Sequence, residues 1–262
     1  MAEVLKVERR GEVDWVVLNR PDRLNALNSE LTDALSDYFQ GLYRTHGVRV
    51  VVLRGEGRGY CAGLDLQGFE AQSETKGDAF SVQTRIRDIY KAMRRCPQPI
   101  ISLISGPACG GGLSLALASD IRIADETARF NAAYIRVGLT GCDMGSSYFL
   151  PRLVGLSVAS EMLLTGRFVD AAEAAAVRLV SKVVAKDALL SSADDLIEHM
   201  LTTTPAGLRL TKDALNWSVD AQSLDAAMAM EDRQQVLTAQ TRDHREALTA
   251  FTERRTPKFD GT

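Results

Sequence analysis

The sequence is poor in the features that mark secreted, membrane-bound or nucleic-acid-binding proteins. Its four cysteines, Cys61, Cys96, Cys109 and Cys142, lie far apart with no Cys-x-x-Cys pair. That pattern speaks against a disulfide framework or a zinc site and for reduced, buried thiols in a cytoplasmic protein. No apolar run reaches the roughly 18 residues of a membrane span. The opening stretch MAEVLKVERRGEV has neither the basic start nor the apolar core of a secretory signal. Charge is balanced, with 31 Lys and Arg against 34 Asp and Glu and no long block of either sign, so the basic footprint of a nucleic-acid binder is missing. The phosphate-loop signature G-K-[ST] is absent, and no G-x-G-x-x-G follows the first strand-like segment.

What is present suffices for a sizeable core, since 45% of the 262 residues are apolar. Residues 3–9 and 13–19 are rich in β-formers around Gly11 and predict a hairpin. An amphipathic helix is predicted at about 29–45, with Leu31, Leu35, Phe39 and Leu42 on one face. VRVVVLRG (48–55) and PIISLISG (99–106) carry branched apolar residues on both faces, as strands buried on both sides do. Between them, 78–95 reads as a helix through Phe80, Ile86, Ile89 and Tyr90. The second of these strands is read as running directly into the glycines at 110–112. A strand in DIRIAD, helices near 144–153 and 156–165, and a strand in LVSKVV follow. From about 186 the pattern is helical, pairing Leu224 with Met228 and Leu248 with Phe251 on stripes that need a partner, either the core or a neighbouring subunit. Strands alternating with helices, then helices alone, predict an α/β core with a helical C-terminal part.

Gly110, Gly111 and Gly112 stand in front of a helix-like run, although glycine costs about 1 kcal/mol against alanine inside a helix. Two readings fit: glycines that permit tight helix–strand packing, or glycines that bring unpaired first-turn amides close to a ligand. A second glycine-bearing loop, GEGRGYCAGLDL (55–66), also follows a buried strand. Amides from the two loops converging on one point would form an oxyanion hole.

LNRPDRLNAL, GYCAGLDL, GGGLSLALASDIRIADETARF, GLTGCDMGSSYFLPRLVG and AAVRLVSKVV occur in an order and spacing that resembles the enoyl-CoA hydratase/isomerase (crotonase) superfamily over nearly the whole chain. The resemblance implies an α/β fold, a spiral of β-β-α turns spanning 1–195, with a C-terminal helical region at 196–262 used for trimerisation, as a homotrimer or dimer of trimers. It implies an acyl-CoA thioester as substrate, with coenzyme A entering as part of that substrate and no other cofactor. By motif, the oxyanion-hole amides fall on Leu64 and Gly111. Arg23, Leu24 and Ala26 would lie near the CoA moiety, with Ala62, Asp65 and Leu66 on the other side of the thioester.

The positions where hydratases of this family carry their two catalytic glutamates hold Ser114 and Tyr134 here. A serine hydroxyl and a phenol are poor bases for water at neutral pH. None of His46, His199 and His244 falls in a family motif, so Ser114 is read as a helix residue bonded to a local carbonyl. Tyr134 is read as lining the acyl pocket. Among the carboxylates, Asp143 is the candidate acid/base, displaced by one position from the aspartate of dienoyl-CoA isomerising relatives. It can instead cap the helix ahead, accepting from amides near Gly145 and Ser146. Asp65 and Asp120 are read as bracing loops. Two functions stand open, an atypical acyl-CoA hydratase or isomerase and a non-catalytic acyl-CoA binding or delivery protein.

Overall fold

The computed structural model describes residues 3–66 and 76–261. The predicted hairpin is β1 (Leu5–Arg10) paired antiparallel with β2 (Val13–Leu18). Helix α1 (Ser29–Gly41) follows, its first turn closed by the Asn28 side chain accepting from the Leu31 amide. Then come β3 (Val50–Gly55), α2 (Lys76–Arg95) and β4 (Ile100–Ile104). The chain goes on through β5 (Pro107–Cys109), α3 (Gly111–Ala118), β6 (Ile121–Asp125) and β7 (Arg129–Asn131). Next are α4 (Ser146–Val154), α5 (Leu156–Thr165), β8 (Val169–Asp170), α6 (Ala171–Ala176) and β9 (Lys182–Val184). One sheet runs β1-β2-β3-β4-β6-β9, parallel from β2 onward, and a small second sheet runs β5-β7-β8.

Alternation along the strands explains the layering. Val51 and Leu53 of β3 join α1 and α2 through Leu35, Phe39, Ile86 and Ile89. Val50 and Val52 face the opposite way, onto Ile101, Leu103, Ile123 and the apolar side of a later helix at Leu196 and Ile197. The sheet is therefore sandwiched, and loops at its ends are free to carry a site.

Three expectations are corrected. The strand at 99–106 does not run into the glycines: β4 stops at Ile104, and Gly106 turns the chain at φ +62, where a Cβ would lie 2.2 Å from the Arg58 carbonyl oxygen. Only glycine fits, and the chain enters β5 in the other sheet. Phe80 is 73% exposed, so the buried stripe of α2 begins later, at Ile86. Cys61, Cys96 and Cys109 are buried, but Cys142 is exposed on a loop.

After β9, α7 (Asp194–Leu201), α8 (Pro205–Ser218), α9 (Leu224–Ala239) and α10 (Arg242–Glu253) complete the described chain. Thr204, Ser223 and Thr241 side chains cap the last three. Polar contacts hold this part to the core. Lys212 of α8, buried, donates to the Met93 and Gln98 carbonyls at 3.0 and 2.8 Å and pairs with Asp120 at 2.9 Å. Arg49, equally buried, donates to the Met200, Leu201 and Thr203 carbonyls at the end of α7. By contrast, α9 has no buried residue. Leu224, Met228, Leu248 and Phe251 are all exposed, so the core does not take their stripes.

Candidate active site

Two backbone segments build the site. Residues 62–65 lie alongside 24–27 in a short parallel ladder: Ala62 N–H donates to Leu24 O, Leu27 N–H to Gly63 O and Asp65 N–H to Leu27 O, at 2.9, 2.7 and 2.9 Å. Successive N–H groups of an extended chain point to opposite edges, so with Asp65 N–H turned to Leu27, that of Leu64 faces away from the ladder. The 24–27 segment is itself constrained. Leu24 and Asn25 take left-handed backbone at φ 48 and 56. Asn25 accepts from the Arg20 amide and donates to the Glu56 and Gly59 carbonyls, which pins both loops together.

The second segment is the glycine run, and each glycine is required for a different reason. Gly110 combines φ 50 with ψ -119, which lies outside the left-handed well that L-residues such as Leu24 can enter. A Cβ on Gly112 would lie 2.0 Å from the Cys61 carbonyl oxygen, so α3 can approach the first loop only without a side chain there. Gly111 is crowded by side chains rather than backbone, with Leu27 Cδ1, Tyr90 Oη and Met144 Sδ at 3.0, 3.1 and 3.3 Å from an added Cβ. The packing reading of the glycines thus holds at Gly112. Gly63, at φ +95, would meet Cys109 O at 2.7 Å and Gly111 N at 3.4 Å if it carried a Cβ. The Gly63–Leu64 backbone therefore lies against the Gly111 amide. Among the described residues, neither the Leu64 nor the Gly111 N–H has a backbone acceptor. Gly111 is also the first residue of α3, where the helix dipole adds positive potential.

Behind these amides, Ser114 Oγ and Tyr134 Oη are hydrogen-bonded at 2.8 Å, both buried. The expected local carbonyl partner for Ser114 is thus corrected to the Tyr134 hydroxyl, because α3 is packed closely enough on the 133–137 turn for the phenol to reach it. The Tyr134 ring also lies against Gly110. Burial raises its pKa well above that of a free phenol, so it stays neutral.

Asp143 sits in the loop before α4, half-buried. Its Oδ1 accepts from the Met144 amide at 2.7 Å and from Gln83 Nε2 at 2.6 Å. The expected carboxylate cap onto Gly145 and Ser146 is not formed. Instead Gly145 is the N-cap with no side-chain bond, while the Asp143 main chain exchanges hydrogen bonds with Ser146 through Ser146 Oγ and the Asp143 carbonyl. Burial raises the Asp143 pKa above the usual aspartate value, only partly offset by the bonds from Met144 and Gln83. Its charge in turn adds to the elevation of the Tyr90 and Tyr134 pKa values, which burial dominates.

The rim residues fall where the two loops meet. Arg23 is exposed, Leu24 half-buried and Ala26 buried on one segment, with Ala62 half-buried and Leu66 exposed on the other. Asp65 is engaged by Arg20, at 2.9 Å, and Arg20 also donates to the Ala26 carbonyl. Asp120 pairs with Arg94 and Lys212 and accepts from the Ile100 amide. Both aspartates brace loops. Tyr90, Met144, Gln83 and Leu27 are additions that sequence patterning does not mark. Tyr90 reads there as an ordinary core position of α2, yet its hydroxyl donates to Gly111 O at 3.1 Å and contacts Met144 Sδ. Among the described residues no group of His, Cys, Asp and Glu could hold a metal ion.

The arrangement is one that two N–H donors and a single raised-pKa carboxylate can operate together on a carbonyl compound. Comparison with known proteins agrees in kind. The profile of the enoyl-CoA hydratase/isomerase family matches residues 8–262. A protein of Mycobacterium leprae (strain TN) named "Probable enoyl-CoA hydratase echA12" is 41% identical over 94% of this chain and 86% of its own. The 1,2-epoxyphenylacetyl-CoA isomerase of Escherichia coli (strain K12) is 34% identical over 94% of each chain. The crystal structure of an enoyl-CoA hydratase from Bacillus anthracis superposes with a TM-score of 0.93 at 31% identity, covering 99% of this chain and 100% of the other.

Proposed function

Because the chain belongs to the enoyl-CoA hydratase/isomerase family, we propose that it moves a proton on an acyl-CoA thioester with one carboxylate, Asp143, rather than hydrating an enoyl-CoA with a glutamate pair. The thioester oxygen sits between the Leu64 and Gly111 amides, where no protein acceptor competes. As Asp143 takes a proton from a carbon conjugated to the carbonyl, the C–H electron pair passes through the acyl carbons onto that oxygen. Two N–H donors at that oxygen would stabilise the developing charge, and removal of one such donor typically costs about 3–4 kcal/mol. Protonated Asp143 then returns the proton to another carbon of the conjugated system, so a double bond moves and nothing is consumed.

The observation that carries this reading is the pair of amides with no backbone acceptor, beside which Met144, the neighbour of Asp143, packs on Gly111, with the Asp143 pKa raised by burial. A base works best when its pKa approaches the working pH, and desolvation moves Asp143 that way. The buried Ser114–Tyr134 pair supplies no carboxylate to activate water. The similarity to a named CoA-ester isomerase supports the same class of reaction. Arg23, Leu24 and Ala26 on one rim, with Ala62, Asp65 and Leu66 opposite, would receive the CoA portion. Coenzyme A enters as part of the substrate, and this route requires no other cofactor. The exposed apolar residues of α9 and α10 would be covered in a homotrimer or dimer of trimers.

The test is a panel of purified enoyl-CoA and acyl-CoA esters, followed for double-bond migration and for α-proton exchange with deuterated solvent. Turnover lost in Asp143→Asn, with binding kept, supports the proposal. Saturable binding with no turnover or exchange of any ester would favour the second reading, an acyl-CoA binding or delivery protein, which the absence of carboxylates at 114 and 134 also favours.

A further inference from the structure

A cavity lies not at the amides but behind them. It has a volume of about 560 Å³ and lies between α2, α3, α4 and α8. Tyr90 and Met144 form its near wall, and these are the side chains that touch Gly111 from the other side. From there the lining is apolar along Leu117, Phe149, Leu153, Leu215 and Val219. At the outer end it is cationic, with Arg87, Lys91, Arg95 and Arg152.

The acids near this end do not match the bases. Asp88 serves both Arg87 and Lys91, at 2.9 and 3.5 Å. Asp120 serves both Arg94 and Lys212. Arg152 has Asp220, which also accepts from the Tyr148 hydroxyl. Arg95 has no carboxylate within ion-pair distance among the described residues, although Asp88 and Asp213 line the two adjoining hollows that it also borders. A surplus of positive charge therefore stands beside a largely apolar cavity whose near wall, Tyr90 and Met144, backs onto Gly111. An all-hydrocarbon chain would leave that surplus unanswered.

We propose that this cavity receives the far end of the acyl chain, and that the chain ends in a carboxylate or a comparable anion held at the mouth by Lys91 and Arg95. The inference rests on the thioester reading above and names its substrate class, an ω-carboxyacyl-CoA. The chain would pass Met144, whose unbranched thioether repacks readily, run along the apolar wall and place its terminal anion against the guanidinium, which recognises carboxylates in a bidentate manner.

Calorimetric titration of the intact protein with two C10 thioesters tests it, one ending in a methyl group and one in a carboxylate. The expected result is binding of the carboxylate-ended ester tighter by about tenfold or more, the scale of a charge-assisted hydrogen bond, with the advantage shrinking as salt is raised. In Arg95→Met and Lys91→Met the advantage should fall toward parity while affinity for the methyl-ended ester holds. Equal affinities in the wild type, or a preference that survives both substitutions, would overturn this inference alone. Failure of either ester to bind would overturn the thioester reading with it. A third titration uses free decanoate: saturable binding that persists beside a bound C10 ester would show an independent fatty-acid site and equally overturn the continuous channel.

Discussion

Gln83 Nε2 donates to Asp143 Oδ1 across 2.6 Å, joining α2 to the loop before α4. The bond stabilises the ionised carboxylate, opposing the burial that raises its pKa. Asp143 as a base is active only when deprotonated, so the rate should fall as pH drops through its pKa. Gln83→Leu removes the bond, raises that pKa further and should move the acid limb of kcat/KM toward alkaline pH. The plateau above the limb should change much less. An unmoved limb in a pH–rate profile would show that Gln83 does not tune the base.

Asp143→Asn should lower turnover by about 10²-fold or more, the usual worth of a general base, while acyl-CoA affinity is kept. Stability should move the other way. A carboxyl whose folded pKa is raised binds its proton more tightly folded than unfolded, so its contribution is favourable below the unfolded pKa and is lost as pH rises through the folded value. At neutral pH the ionised Asp143 is a cost, and the amide removes it. The variant should melt at the same or a higher temperature at pH 7, by calorimetry.

Gly111 and Gly112 should respond oppositely to alanine. At 111 the new methyl meets the movable ends of Leu27, Tyr90 and Met144, so the protein should fold and lose acyl-CoA binding or turnover. At 112 it meets the Cys61 carbonyl at 2.0 Å, which cannot yield without moving backbone. Gly112→Ala should cost about 3 kcal/mol or more, the upper end of overpacking. Denaturant unfolding of both variants, beside an acyl-CoA titration, checks the contrast.

Crotonyl-CoA hydration, followed by loss of the conjugated-thioester absorbance, should run about 10²–10⁴-fold slower than in a two-glutamate hydratase assayed alongside, because Ser114 and Tyr134 cannot replace the acid–base pair. Tyr134→Phe leaves the Ser114 hydroxyl without its observed partner and should cost about 1–3 kcal/mol of stability.

The exposed Leu224, Met228, Leu248 and Phe251 predict a solution mass that is a multiple of the 28.6 kDa chain. Sedimentation should show a trimer or hexamer, and Leu224→Arg with Phe251→Arg should shift it toward monomer.

The sequence made β3, β4, α1 and the helical C-terminal run legible because each is set by local patterning over many residues. It could not show β5, β7 and β8, which are two or three residues long and follow the turn at Gly106 that takes the chain out of the main sheet. The close approach of the 62–65 segment to the 110–112 glycines was legible because glycine requirements leave a mark in composition, whereas the choice of the Leu64 and Gly111 amides rests on the family resemblance. Tyr90, Met144 and Gln83 leave no such mark. A tyrosine on an apolar helix face looks the same whether it fills space or touches Gly111, and only packing decides. Ser114 illustrates the same limit, since its partner lies on another element.

The amides of Leu64 and Gly111 come from loops far apart in the chain, brought together only when Gly63 and Gly112 let their backbones touch. No fragment and no partly unfolded form can present both. Acyl-CoA should therefore act as a ligand of the native state alone, raising the melting temperature in proportion to the logarithm of its concentration, so that the thermal shift reports occupancy of the site before any reaction is known.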